Sequence, residues 1–446
     1  MQKLRKTKHR HITSFQVIIL GFFSVIILGS LLLMLPMATQ SGVVTPFSDT
    51  LFTATSAVCV TGLVIYDTAT YWSLFGQIII LILIQIGGMG IVTIAVAIAV
   101  ISGRKIGLMQ RSTMQEAIAA PQVGGIVRRT EFIVKTVFFI ELAGAAALAP
   151  VFCRDFGLVK GIWYSLFHSI SAFCNAGFDL IGIREPFSSL TSYSAQPIIN
   201  ITIMALIVIG GIGFLTWEDI KNNKWHFQKY RMQSKVILTV TASLILFPAI
   251  YFFLFEFADL PLGHRIWVSL FQSVTPRTAG FNSADLTKLS EIGIMLTIVL
   301  MIIGGSPGST AGGMKTTTLA VLLSTALSVF QQKDDTHFYG RRIPDDTIKN
   351  AATIFLMYIT LFLFGGMIIS GIEEIPLLTA LFETASAIGT VGLSLGVTPS
   401  LGLTSHMILI CLMFFGRVGG LTLVFAALSE RRPNRSKYPQ EKITVG

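Results

Sequence analysis

The sequence predicts an all-α polytopic membrane protein made of four similar units, each a span, a short re-entrant helix, a glycine-ended loop and a second span. Three observations predict it. Of 446 residues 52% are hydrophobic and only 13% charged, against about 25% charged in a soluble domain. Eight apolar runs reach the roughly 20 residues that a helix needs to cross a hydrocarbon core about 30 Å thick. A stretch built on Leu-Phe and closed by glycine recurs four times, as LFTATSAVCVTG, LFHSISAFCNAG, LFQSVTPRTAG and LFETASAIGTVG. Their final glycines, Gly62, Gly177, Gly280 and Gly392, lie 115, 103 and 112 residues apart. One unit of that length has been repeated, and four such units in one chain fit around an axis.

The eight runs are 15–37, 73–101, 131–152, 197–216, 236–257, 292–323, 351–371 and 404–428. The Leu-Phe stretches are too short to span and are expected as re-entrant half-helices. The expected divisions follow: a basic amino terminus 1–14, repeat 1 at 15–101, a loop 102–130, repeat 2 at 131–216, a loop 217–235, repeat 3 at 236–323, a loop 324–350, repeat 4 at 351–428 and a tail 429–446. This is four membrane-pore-membrane repeats, with eight transmembrane helices and four re-entrant pore helices around one pseudo-fourfold pore.

The first run follows MQKLRKTKHRH but is too long for a signal peptide and lacks a small-residue cleavage site, so a retained anchor is expected. With the amino terminus inside, the inner segments hold 24 Lys and Arg and the outer segments five: Arg154, Lys160, Arg184, Arg265 and Lys288. The excess puts both termini in the cytoplasm of a multi-pass cell-membrane protein. The net charge of +10 is then an orientation signal with some attraction to anionic membrane lipid. Divided among five short segments, it does not make a nucleic-acid surface. Cys59, Cys153, Cys174 and Cys411 show no paired ligand spacing, so no metal or disulfide framework is expected.

A cation crossing hydrocarbon needs its hydration shell replaced, and a narrow ring of backbone carbonyls can do that. The candidate loops are Val58, Cys59, Val60, Thr61 and Gly62; Phe173, Cys174, Asn175, Ala176 and Gly177; Thr278, Ala279 and Gly280; and Ile388, Gly389, Thr390, Val391 and Gly392. Each is short, nearly uncharged and closed by glycine, whose backbone turns carbonyls inward without Cβ strain. The half-helix before each loop points its negative end at the same place. Small residues that merely let helices pack closely are the plainer reading of any one loop; four in register with Leu-Phe argue against it. The third loop is a residue shorter and carries Pro276, expected to end its half-helix early. Arg277 is expected to face away from the axis, toward a carboxylate or the outer rim.

The second runs carry QIGGMGI, VIGGIGF, IIGGSPGSTAGGMKT and FFGRVGGLT. In the third the interruption is Gly304, Gly305, Ser306, Pro307, Gly308, Ser309, Thr310, Ala311, Gly312 and Gly313. It cannot stay helical and reads as an intramembrane loop on the axis. From Gly308 it nearly matches a phosphate-binding loop, but Met314 intervenes before Lys315 and Thr316 and no strand precedes it. A serine nucleophile at Ser306 or Ser309 would need a histidine, and only His168 and His406 lie in membrane segments. No enzyme and no cofactor in this chain is the expectation. Lys315 and Arg417 are cations at membrane depth, functional candidates unless they snorkel to the interface. Arg417 can cap freed carbonyls of the 304–313 loop, and the two are expected to form a gate.

With these motifs in order, the chain resembles the Trk/Ktr/HKT superfamily of potassium transporters over about residues 15–430. It is most similar to the KtrB type of membrane subunit, since no further spans precede the first unit. The resemblance implies K+ as the permeant ion at Gly62, Gly177, Gly280 and Gly392, whose pattern, with no serine at the first, matches potassium-selective members. It implies gating by 304–313 with Arg417 in contact, a homodimer, and a cytoplasmic KtrA-like nucleotide-binding ring supplying ATP and ADP sensitivity. Sodium dependence is implied too. A secondary cation transporter with alternating access is the competing class, but its inverted repeats are not expected of four units with the same order.

Overall fold

A computed structural model describes residues 13–101, 107–117, 122 and 124–420. The basic start at 1–12, parts of the 102–130 loop and the tail from 421 lie outside the described residues. Among the described residues the chain is mostly helical, with one short hairpin, β1 (His337–Phe338) and β2 (Arg341–Arg342).

The first unit runs through α1 (Ser14–Leu33), α2 (Phe47–Val58), the single turn α3 (Thr68–Tyr71), α4 (Leu74–Met89) and α5 (Ile91–Ile101), followed by α6 (Leu108–Ala117). The second holds α7 (Ile126–Phe156), α8 (Leu158–Phe173), α9 (Pro197–Gly211) and α10 (Phe214–Asn223). The third holds α11 (Met232–Tyr251), α12 (Leu262–Val274), α13 (Glu291–Ile302) and α14 (Thr316–Phe330). The fourth holds α15 (Asp345–Glu373), α16 (Leu377–Gly389) and α17 (Leu403–Val418).

Local chemistry sets the starts. Thr13 and Gln16 form a reciprocal capping box on α1, Ser73 and Ser290 cap α4 and α13, and Pro46, Pro261 and Pro376 stand at the N-caps of α2, α12 and α16. Asp345 and Asp346 begin α15, where the helix dipole favours negative charge. Asp335, in the same polar segment, pairs with Arg342 at 2.9 Å across the hairpin.

The spans differ from expectation in one respect. The leading helix of each unit, Ser14–Leu33, Ile126–Phe156, Met232–Glu256 and Asp345–Glu373, is continuous and apolar enough to cross a bilayer, whereas the trailing runs are interrupted. The run 73–101 is two helices meeting at Gly90, and 197–216 breaks at Gly213, after which α10 leaves at 99°. The run 292–323 is α13 and α14 with the expected loop between, while α17 closes at Gly419 inside 404–428. The cause is backbone conformation: Gly90, Gly213 and Gly419 sit at φ 84°, 91° and 88°, where a Cβ is strained and a helix cannot continue.

The glycine pairs also settle packing. A Cβ on Gly87, Gly210 or Gly416 would overlap the carbonyl of Val58, Phe173 or Ile388, the C-terminal turn of the short helix in the same unit. The trailing helix can approach that turn only without a side chain. After its bend, α10 is anchored by Glu218, which reaches Arg129 at 3.3 Å and Arg231 at 2.7 Å, while buried Asp219 accepts from Ser234.

Gly210→Ala should therefore lower thermal stability by about 1–3 kcal/mol of overpacking. Gly371→Ala, where nothing lies within 4 Å of a new Cβ, should be neutral or slightly stabilising. Melting of the detergent-solubilised protein checks both, and equal midpoints would refute the packing argument.

Candidate ion pathway

The glycine-ended loops meet. A Cβ on Gly62 would run into the carbonyl of Ala176, one on Gly177 into Ala279, one on Gly280 into Val391, and one on Gly392 into Thr61. The contacts pass from first unit to second, third, fourth and back to the first, always in the same sense. All four glycines line one cavity of about 320 Å³, together with Asp67, Asp179, Asn282 and Ser394. Their φ values are 93°, 69°, 77° and 93°. Only glycine satisfies both the dihedral and the approach.

Two residues before each glycine the backbone is left-handed again, at Val60 (58°), Asn175 (59°), Thr278 (65°) and Thr390 (52°). A non-glycine residue so held stores on the order of 1–3 kcal/mol and needs support from its surroundings. The support is a hydroxyl four residues past the Leu-Phe pair: Ser56, Ser171, Thr275 and Ser386. Ser56 and Ser386 accept from the N–H of Gly62 and Gly392 at 3.0 Å. Ser171 and Thr275 donate to the carbonyls of Phe178 and Phe281 at 2.7 and 2.6 Å. The backbone joins in, with Thr61, Ala176 and Val391 donating to the carbonyls of Ser56, Ser171 and Ser386.

Directly beneath lies the 304–313 segment, folded back on itself by Gly304 N–H to Met314 O (2.8 Å) and Thr316 N–H to Gly305 O (3.0 Å). Its remaining polar groups are met by the glycine breaks of neighbouring units. Ser306 and Thr310 donate to Gly211 and Gly210, Gly313 donates to Gly416, and Gly308 accepts from Phe214. Irregular backbone survives at membrane depth where protein satisfies it in this way. The Thr310 hydroxyl links upward, to Phe173 O at 3.0 Å and Asn175 Oδ1 at 3.1 Å. From below, Arg417 donates to the carbonyls of Thr310, Gly87 and Gly88. Lys315 donates to Ala311 O (2.9 Å) and Gly312 O (3.2 Å). Arg417, Lys315, Pro307 and Ser309 line a second cavity of about 280 Å³ on this side.

A family described as cation transport protein, TrkH, matches residues 2–436. The chain belongs to the TrkH family. Among its relatives is the potassium/sodium uptake protein NtpJ of Enterococcus hirae, 41% identical with all of both chains covered. The Ktr system potassium uptake protein B of Bacillus subtilis is 39% identical, again over all of both chains. In fold the chain is similar to the crystal structure of the potassium transporter TrkH from Vibrio parahaemolyticus. That match has a TM-score of 0.73 and 19% identity, covering 94% of this chain and 86% of the other. The curated relatives are ion transporters, and a family of this kind with several apolar helices is a membrane protein.

Within this TrkH-family ring, Val58, Phe173 and Ile388 are helix residues whose carbonyls face Gly87, Gly210 and Gly416 rather than the cavity lined by the four glycines. Cys59 and Cys174 are buried just past the helix ends, Cys174 near Gln85 and Glu141 at 3.7 and 3.9 Å. The short helix α12 stops at Val274, two residues before Pro276. Arg277 departs from expectation. It is buried, and among the described residues it meets no carboxylate, its Nη2 donating to Thr241 at 3.2 Å. The apolar wall formed around α11 leaves no acid within reach.

The serines of the 304–313 loop are held by protein. Ser309 donates to Ser306 O at 2.7 Å and Ser306 lies 3.1 Å from Thr316, while His168 and His406 bond elsewhere. Sequence reasoning missed the hydroxyl anchors, although Ser or Thr four residues past each Leu-Phe pair was there to be seen. It also missed Asp67 and Asp179 in the lining of the first cavity, which carry no repeated signal. Asp67 accepts from the N–H groups of Ala69, Thr70 and Phe187. Asp179 lies in the loop after α8, where burial pushes its carboxyl up to about 7; the Ile181 N–H opposes this and the Asp67 charge adds to it.

Arg417→Ala should free the 304–313 loop. With Ser309→Cys as the probe, and Cys153 and Cys411 replaced by serine, labelling by a water-soluble thiol reagent should quicken roughly tenfold, since hydrogen bonds to a charged group contribute about 1.5–3 kcal/mol each. An unchanged rate would show that Arg417 does not hold the loop.

Proposed function

We propose that this chain is the membrane subunit of a potassium uptake system, conducting K+ through the ring of glycine-ended loops and gated by the 304–313 segment. The observation that carries the proposal is the closed cycle of glycine-to-carbonyl approaches, with that segment hung directly beneath it. In an extended strand successive carbonyls point to opposite sides. Left-handed residues two apart turn them to the same side, so each loop can offer consecutive carbonyls to a dehydrated cation. Four short helices end at the loops with their negative ends inward, and Asp67 and Asp179 add negative charge at the mouth.

On this reading the four units are membrane-pore-membrane repeats around one pseudo-fourfold axis, and the interrupted trailing runs complete each crossing in two pieces. The cavity lined by Asp67 and Asp179 is extracellular and that lined by Arg417 and Lys315 cytoplasmic, as the Lys and Arg distribution of the short loops supports. Arg417 and Lys315 pin the segment by its carbonyls and place positive charge on the exit path, so closure is both steric and electrostatic. The full-length similarity to proteins named for potassium uptake supports K+ as the ion, and the name of the Enterococcus hirae relative supports a role for sodium. A homodimer with a cytoplasmic KtrA-like nucleotide-binding ring, sensing ATP and ADP, is the assembly that the Ktr likeness supports.

Potassium and sodium uptake in cells lacking their own potassium transport tests the proposal. Gly62→Ser should lower the K+/Na+ ratio about tenfold, equivalent to roughly 1.4 kcal/mol between the ions, and Arg417→Ala should raise uptake without lowering selectivity. Turnover no faster than a carrier's in reconstituted vesicles would favour alternating access instead. Asp179 supplies a pH test with a defined sign. Its carboxyl is charged above about pH 7 and neutral below, so acidifying the outside from pH 8 to pH 6 should weaken apparent K+ affinity. Asp179→Asn should show the weaker affinity at both values; persistence of the pH effect in that variant would remove Asp179 from the mouth.

A further inference from the structure

The residue after each Leu-Phe pair differs in every unit: Thr53, His168, Gln272 and Glu383. In two units it reaches over the filter loop to the arm that leaves it. His168, fully buried, accepts from the N–H of Leu180 through Nε2 at 3.3 Å. Glu383, also fully buried, accepts from the N–H of Leu395 at 2.9 Å, from Ser394 Oγ at 2.8 Å and from Thr398 Oγ1 at 2.6 Å. Both backbone bonds span 12 residues, so the two side chains perform one task in one register. The cycle of glycine contacts puts units two and four diagonally opposite.

The chemistry is specific. The Tyr164 carbonyl lies 2.7 Å from Nδ1 of His168 and can only accept, while the Leu180 N–H can only donate. Both bonds form only with a neutral imidazole protonated at Nδ1. The ring is fixed by Phe152 and by Phe281 of the third arm, at 5.1 and 6.3 Å between centroids. The other diagonal is built differently. Thr53 bonds within its own helix to Asp49 O, and the first arm is tied by Tyr66 to Asp49 at 2.7 Å. The third arm is tied to the second unit, with Leu190 N–H on Asn282 O at 2.8 Å.

We infer that His168 and Glu383 are positioning residues for selectivity, bracing the exit arms of the second and fourth loops so that this diagonal of the ring keeps a fixed width. The inference rests on reading the loops as a filter. Ions of different radius are told apart only if the ring resists collapse around the smaller one, and a brace from behind supplies that resistance without touching the ion.

Potassium and sodium uptake are measured in cells lacking their own potassium transport, with the full-length protein and at matched membrane abundance. Glu383→Ala should lower the K+/Na+ ratio roughly tenfold, and His168→Ala, with one neutral bond at stake, about fivefold. Glu383→Gln, which keeps acceptor oxygen for Leu395, should recover most of the ratio. Should Glu383→Ala fail to reach the membrane, Ser394→Ala with Thr398→Val removes two donors from the other side and should lower the ratio in the same direction. Gly392→Ser is the reference. If it leaves the ratio unchanged, the filter reading itself fails. If it shifts the ratio while the bracing variants do not, or slow uptake of both ions equally, the brace is overturned. Glu383→Gln as impaired as Glu383→Ala would also overturn it, in favour of the carboxylate's charge.

Discussion

The whole architecture depends on backbone approaching backbone where no side chain can fit. At the ring a glycine of one unit meets a carbonyl of the next, and behind it Gly87, Gly210 and Gly416 meet the last turn of the short helix in their own unit. Each approach fixes a distance that a Cβ would change, and four together fix how the loops meet. The long apolar helices around them supply hydrophobic bulk, which is non-directional and tolerant of exchange. The glycines carry the directional information.

Close backbone contact leaves polar groups buried in protein, and the polar side chains are distributed accordingly. Ser56, Ser171, Thr275 and Ser386 each take one peptide group of the loop that follows. The 304–313 segment is satisfied by the helix breaks around it, and its remaining Thr310 carbonyl by Arg417. One guanidinium thereby joins α17, the end of α4 and the central segment. The break in α4, the arginine in α17 and the loop after α13 form a single structural unit drawn from three repeats.

Much of this was legible in the sequence because it is repeated. Four glycines at similar spacing mark the ring, and the length of GGSPGSTAGG marks a segment that cannot be helical. Arg417 stands out by charge against an apolar run. Continuity of the trailing runs was not legible, since hydropathy averages over Gly90 and Gly213 and registers no dihedral angle. The surroundings of Arg277 were equally hidden, because the Thr241 hydroxyl that receives it lies 36 residues away on a helix whose sequence announces only hydrophobicity. The shared place of His168 and Glu383 was hidden for another reason: equivalent positions filled by four different residues leave no motif.

The ring closes between its first and last members, Gly392 against Thr61, and Arg417 reaches back 330 residues to Gly87. A ribosome adding about ten residues per second needs roughly half a minute for that length of chain. Throughout that interval the first glycine-ended loop lacks its neighbour on one side, and its left-handed backbone rests on Ser56 of its own unit. The order in which the units leave the ribosome thus gives the earliest one the longest wait for its last contact.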